Sequence, residues 1–163
     1  MSAAVAALLV AWATVLPAQT MGRVSYAART LDGREVRVGA GEPATLVAVF
    51  ATWCTSCRGE FATLDSLRRV LAPRGVRVLA VSVDEGDDSK VRRWTAARRT
   101  RLLVAHDGSG AVGRTFGTVG VPESYLIDRA GMVRWRGQGD IGGELSALRR
   151  AVGELGSSTT GRH

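Results

Sequence analysis

The chain is poor in the residue types from which small proteins build staples and metal centres. Its 163 residues include two cysteines, two histidines and a single lysine, Lys90. A four-cysteine zinc site needs partners that are missing, and two histidines, one of them His163 in the tail, do not replace them. No metal and no cofactor is expected. With lysine so rare, the net charge of +7 rests almost wholly on arginine. The arginines fall in scattered pairs, Arg68-Arg69, Arg92-Arg93, Arg98-Arg99 and Arg149-Arg150, without a basic stripe interleaved with aromatics. That pattern reads as solvated helix faces and excludes a nucleic-acid partner, while leaving room for attraction to acidic proteins. Internal repeats are absent, and the one apolar run, Ala3 to Leu16, is too short for a membrane span of about 20 residues.

That run has the length of a signal-peptide core, and Leu16-Pro17-Ala18 offers a small-residue cleavage site, although no Lys or Arg precedes it. Residues 1–20 are read as a signal peptide or membrane anchor, against the alternative of an apolar first element of the domain. Residues 23–155 have the length and the 45% apolar content of one domain, and the Gly/Ser/Thr-rich segment 156–163 reads as a disordered tail. Export would place the domain in an extracytoplasmic, oxidising compartment, the periplasm or the outer face of the cytoplasmic membrane.

Both cysteines lie in one stretch, Phe50-Ala51-Thr52-Trp53-Cys54-Thr55-Ser56-Cys57. The apolar segment Thr45 to Phe50 before it reads as a buried strand, and Arg58 to Ala72 after it has helical spacing. A strand feeding a helix through Cys-x-x-Cys puts the first sulfur at the helix N-terminus, where free N–H groups and the helix dipole favour a thiolate. Cys54 is therefore expected to be exposed and to attack, and Cys57, one turn inside, to be the buried resolving sulfur. So small a loop gains little stability from closure, which favours redox chemistry over a structural staple.

The remaining elements alternate. Strands over Arg23 to Thr30 and Arg34 to Val38 flank an Asp-Gly hairpin signal at Asp32-Gly33. A helix over Glu60 to Leu71 turns Phe61, Leu64, Leu67, Val70 and Leu71 to one face. Val76 to Val83 is a strand, Asp84 to Asp88 an acidic loop, and Ser89 a cap for a helix through Ala97. A short strand over Leu102 to Ala105 and a short helix over Ala111 to Phe116 follow. Strands over Glu123 to Ile127 and Met132 to Arg136 form a second hairpin, and an amphipathic helix over Gly143 to Leu155 closes the chain. This order predicts an α/β fold of the thioredoxin plan: a mixed central sheet flanked by helices, with an N-terminal β-hairpin extension and a central insertion.

Four pieces of sequence resemble the thioredoxin-like extracytoplasmic thiol–disulfide oxidoreductases of the TlpA/ResA/DsbE type: Leu31-Asp32-Gly33-Arg34, Val49 to Cys57, Arg58-Gly59-Glu60-Phe61 and Gly120 to Asp128. The resemblance spans Tyr26 to Leu155. It implies that Pro122 is a cis-proline, placing the Val121 backbone beside the cysteines to pair with an extended substrate segment. Trp53 would cover the sulfurs and shape the docking surface. Glu60 matches an acidic residue of the ResA/DsbE branch and would relay the proton of Cys57; its other reading is a first-turn glutamate favoured by the dipole. Cytoplasmic thioredoxins carry a buried aspartate where this chain has Ala48, which leaves Glu60 and Glu123 as the available carboxylates. Glu123 would face substrate or merely begin a strand.

The activity implied is thiol–disulfide exchange on exported proteins, with apocytochrome c as a substrate, a membrane thiol–disulfide electron donor as redox partner and an N-terminal membrane tether. Reduction is favoured; an extracytoplasmic disulfide oxidase and, from another class, a copper-binding chaperone are the alternatives. A thiol peroxidase needs a Pro-x-x-x-Thr-x-x-Cys setting that Phe50 to Cys54 does not supply.

Overall fold

The computed structural model describes residues 22–155. The expected signal peptide or anchor over 1–20 and the expected tail over 156–163 lie outside the described residues. Among the described residues no helix is long and apolar enough to cross a membrane.

The chain runs β1 (Tyr26–Arg29), β2 (Glu35–Val38), β3 (Ala44–Phe50), α1 (Thr55–Leu71), β4 (Val76–Ser82), α2 (Ser89–Arg98), β5 (Leu103–His106), α3 (Ala111–Phe116), β6 (Glu123–Ile127), β7 (Val133–Gln138) and α4 (Ile141–Leu155). Five strands form one sheet in the order β5-β4-β3-β6-β7, and β1 and β2 form a separate hairpin. The strands linked through helices, β3, β4 and β5, are parallel; β6 and β7, joined by a turn, are antiparallel to each other, and β6 is antiparallel to β3. This is the expected thioredoxin-like sheet, with α2 and β5 as the central insertion and β5 at one edge.

All seven residues of β3 are buried. A strand can be apolar throughout only when both its faces are covered. On one face Leu46, Ala48 and Phe50 join Phe61 and Leu64 of α1 and Leu148 of α4. On the other, Val47 and Val49 meet Tyr26, Val36 and Val38 of the hairpin and Val112 and Phe116 of α3. The N-terminal hairpin is thus half the roof of the second face. Its base is pinned to the β6–β7 turn: the Val24 N–H donates to the Gly131 carbonyl at 2.8 Å and the Gly41 N–H to that of Arg129 at 3.0 Å. A Cβ on Gly131 would stand 2.9 Å from the Ala40 nitrogen, so only glycine permits this approach.

Three local expectations are corrected. The first helix starts at Thr55, a turn earlier than its apolar stripe announces. Val70 stays exposed, at the open cleft between α1 and α4 lined by Leu67, Leu145 and Leu148, because α4 does not cover it. Ser89 does not cap α2 but begins it, and its N–H is taken by the Asp87 carboxylate at 3.0 Å.

Candidate redox site

β3 delivers the chain to the middle of the sheet's end, and four residues, Ala51 to Cys54, turn it into α1. The Cys54 N–H donates to the Ala51 carbonyl at 3.1 Å. Cys54 occupies the N-cap of α1 with an extended backbone, φ −75° and ψ 115°, and its sulfur accepts the Cys57 N–H at 3.2 Å. A sulfur thus stands where serine or aspartate usually caps a helix, and the same N–H that satisfies the helix end stabilises negative charge on that sulfur. The Ser56 hydroxyl lies 3.4 Å from it as a second donor. Cys54 and Cys57 are joined by a disulfide.

Cys57 is fully buried and Cys54 keeps 5% of its surface. Cys54 is the outer sulfur, as its position implies, but it is nearly buried rather than exposed, because its sulfur folds back over the first turn of α1. Trp53 projects outward, 62% exposed. The Val121–Pro122 peptide is cis. Val121 packs against the apolar cluster that contains both cysteines.

Glu60 is 1% exposed, three residues beyond Cys57 and therefore one turn along the same side of α1. Its carboxyl accepts the Ile141 N–H at 3.2 Å, which ties the starts of α1 and α4 together. Burial pushes it up to about 7; the Ile141 bond opposes this and the charge of Asp140 adds to it. A carboxyl at that value can take up or release a proton near neutral pH. Ala48, buried opposite Ala80 and Ser124, brings no carboxylate from the sheet.

Glu123 begins β6 but does not face outward. Its Oε1 accepts Arg136 Nε at 2.7 Å, Arg136 Nη2 and Gln138 Nε2 at 3.1 Å, and its Oε2 accepts the Val119 N–H at 3.3 Å. Burial pushes its carboxyl up, the bonds from Arg136 and Gln138 outweigh that, and it titrates below the usual range. Of the two readings of Glu123, it begins β6: the paired arginine draws this carboxylate inward, where it ties the segment before Pro122 to β7. The acidic stretch after β4 holds a second surprise. Asp84 is not loop surface but is buried against Thr52. His106 donates to the Asp84 carbonyl at 2.8 Å. Among the described residues no group of three or more His, Cys, Asp or Glu is placed to hold a metal ion.

A mixed sheet with a disulfide pair at the N-cap of the helix after its central strand, and a cis-proline just before the neighbouring antiparallel strand, defines a thioredoxin-like protein. Residues 24–136 match the AhpC/TSA family, and the chain belongs to that family. It is 34% identical over 127 residues to the thiol:disulfide interchange protein DsbE of Yersinia pestis, covering 77% of this chain and 63% of that one. Its identity to DsbE of Escherichia coli K12 is 33% over 101 residues, 62% of this chain and 52% of the other. The chain thus spans less than two thirds of the length of these curated relatives. Among solved structures, the exposed lipoprotein thioredoxin Etrx1 of Streptococcus pneumoniae aligns with a TM-score of 0.70 at 22% identity, over 80% of this chain and 99% of that one. A thioredoxin-like protein of Porphyromonas gingivalis aligns with a TM-score of 0.60 at 28% identity, over 87% and 94%.

Proposed function

We propose that the protein is an extracytoplasmic thiol–disulfide oxidoreductase that reduces disulfides of exported proteins, apocytochrome c among them. The observation that carries this reading is the Cys54 sulfur at the N-cap of α1, bonded to the Cys57 N–H and joined to Cys57. In the dithiol form the Cys54 thiolate attacks one sulfur of a substrate disulfide. A Cys54–substrate bond forms, the substrate S–S bond breaks, and the departing sulfur takes a proton. Cys57 then gives its proton to Glu60 and attacks the Cys54 sulfur. The second substrate sulfur leaves as a thiolate and takes the proton from Glu60 as the Cys54–Cys57 disulfide closes; the dithiol has given the substrate two electrons, with one proton drawn from solvent and the other relayed from Cys57. Trp53 and the Val121 backbone flank the sulfurs and present the substrate segment, and a membrane thiol–disulfide donor restores the dithiol. The similarity to proteins named thiol:disulfide interchange protein supports the exchange reaction.

The test is reduction of a disulfide-containing protein substrate by the dithiol form. Cys54→Ser should abolish it, and Cys57→Ser should accumulate a mixed disulfide through Cys54, seen as a mass increase reversed by dithiothreitol. A mixed disulfide trapped on Cys57 in the Cys54→Ser protein would reverse the roles, and full exchange in either variant would overturn the reading.

A further inference from the structure

β4 ends in Ser82 and is followed by Val83-Asp84, and Asp84 is 2% exposed despite its charge. Its carboxylate is fully engaged. Oδ2 accepts the Thr52 N–H at 2.8 Å and the Ser82 hydroxyl at 2.7 Å; Oδ1 accepts the Thr52 hydroxyl at 2.5 Å, with Lys90 Nζ at 3.3 Å. Its main chain is held too: the Asp84 N–H donates to Ser82 Oγ at 3.1 Å, and the carbonyl accepts from His106. β4, α2 and β5 therefore all contribute to fixing this one residue, whose carboxylate has Thr52 as its outward partner.

Thr52 is itself buried, and it is the second of the four residues that turn β3 into α1, two before Cys54. In the oxidised protein the Cys54–Cys57 bond fixes the Cys54 end of that corner to the first turn of α1. In the dithiol protein this link is gone, and the position of the Cys54 sulfur against the Cys57 N–H then depends on the bond from the Cys54 N–H to the Ala51 carbonyl and on how the backbone ahead of Cys54 is anchored. We propose that Asp84 is a positioning residue for Cys54: by gripping both the N–H and the hydroxyl of Thr52, it keeps the Ala51–Cys54 corner in place when the disulfide opens. The inference rests on Cys54–Cys57 being the exchanging pair, and it adds a requirement specific to the reduced state.

Geometry and charge make opposite forecasts. A carboxylate acting on Cys54 only through its charge disfavours the thiolate, so disabling it would shift Cys54 titration down. A carboxylate acting through Thr52 preserves the N-cap bond, so disabling it shifts that titration up. Thr52→Val removes the hydroxyl at nearly constant volume and leaves Asp84 and Lys90 paired, and Thr52→Ser keeps the hydroxyl. In the reduced, folded protein, the midpoint of Cys54 alkylation against pH should rise by about one unit in Thr52→Val, leaving about tenfold less thiolate below the midpoint, and Thr52→Ser should restore it. Asp84→Ala should shift further in the same direction where it folds; where it does not, the two Thr52 variants decide. A midpoint in Thr52→Val equal to wild type, or moved downward, overturns the proposal. Alkylation needs no exchange partner, so a wild-type protein that failed to exchange disulfides would refute the proposed function while this comparison still decided the role of Asp84.

Discussion

Glu60 is the residue at which fold and chemistry make opposing demands. A buried carboxyl pushed up to about 7 from an ordinary 4.5 keeps its proton in the folded protein over a range where the unfolded chain has lost it. The sign follows directly. Below about pH 4.5 both states hold the proton; as the pH rises toward 7 the unfolded state gains the ionised form and the folded state does not, so stability falls. At about 1.4 kcal/mol per pH unit the gap is worth about 3 kcal/mol at most. Glu60→Gln keeps an acceptor for the Ile141 N–H and has no charge to bury. The variant should lose this slope and be the more stable protein at pH 8, as read by urea unfolding of the oxidised form across pH. It should also exchange disulfides more slowly near pH 7, because nothing takes the Cys57 proton. Exchange unchanged in rate and pH profile would leave Glu60 as a tie between α1 and α4 and nothing more.

At the scale of elements, the segment before Pro122 is held from beneath by one side chain. Glu123 accepts the Val119 N–H and pairs with Arg136 on the adjacent strand. Glu123→Ala should cost about 2 kcal/mol in urea unfolding, below the range for a fully buried pair because the Arg136 side chain keeps 31% of its surface. It should slow exchange more than Glu123→Gln, which still offers an oxygen to Val119; equal exchange rates in the two variants would separate Glu123 from the presentation of Val121. This inward tie also marks where sequence reasoning stops. β3 was readable because a strand covered on both faces is a continuous apolar run, and the corner after it because Cys-x-x-Cys before a helical stripe leaves one place for the first sulfur. The cis-proline was readable through family resemblance. Glu123 and Asp84 were not, because what turns each inward is a partner distant in sequence: Arg136, thirteen residues on, and Thr52, thirty-two residues back. Periodicity assigns residues to faces; it does not say which charged residue at a strand end finds a counterpart across the sheet. Val70 fails in the opposite sense, since the stripe marks it as core and α4 leaves it uncovered.

For the whole molecule the open quantity is the direction of electron flow, which is set by the relative stability of the disulfide and dithiol forms. The N-cap bonds to Cys54 stabilise a thiolate and thereby the dithiol form, which pushes toward an oxidant. Against them stands Glu60, buried one turn from Cys57: ionised above about pH 7, it opposes thiolates beside it and favours the closed disulfide, the property of a reductant. If the buried Glu60 carboxylate outweighs the two donors at 3.2 and 3.4 Å from Cys54, the balance falls on the reducing side, and that is the expected outcome. The potential should therefore lie near that of thioredoxin, about −270 mV, rather than near the strong oxidant DsbA at about −120 mV, a gap of about 7 kcal/mol for a two-electron couple. Equilibration of Cys54–Cys57 against dithiothreitol or glutathione, followed by the fluorescence of Trp53 beside the outer sulfur, measures it. The same titration in Glu60→Gln should give a less negative potential above pH 7, where the wild-type carboxylate is charged, and converge with wild type at pH 5. A strongly oxidising wild-type potential, together with catalysis of disulfide formation in a reduced unfolded protein, would overturn the reductant assignment and make the protein a disulfide oxidase.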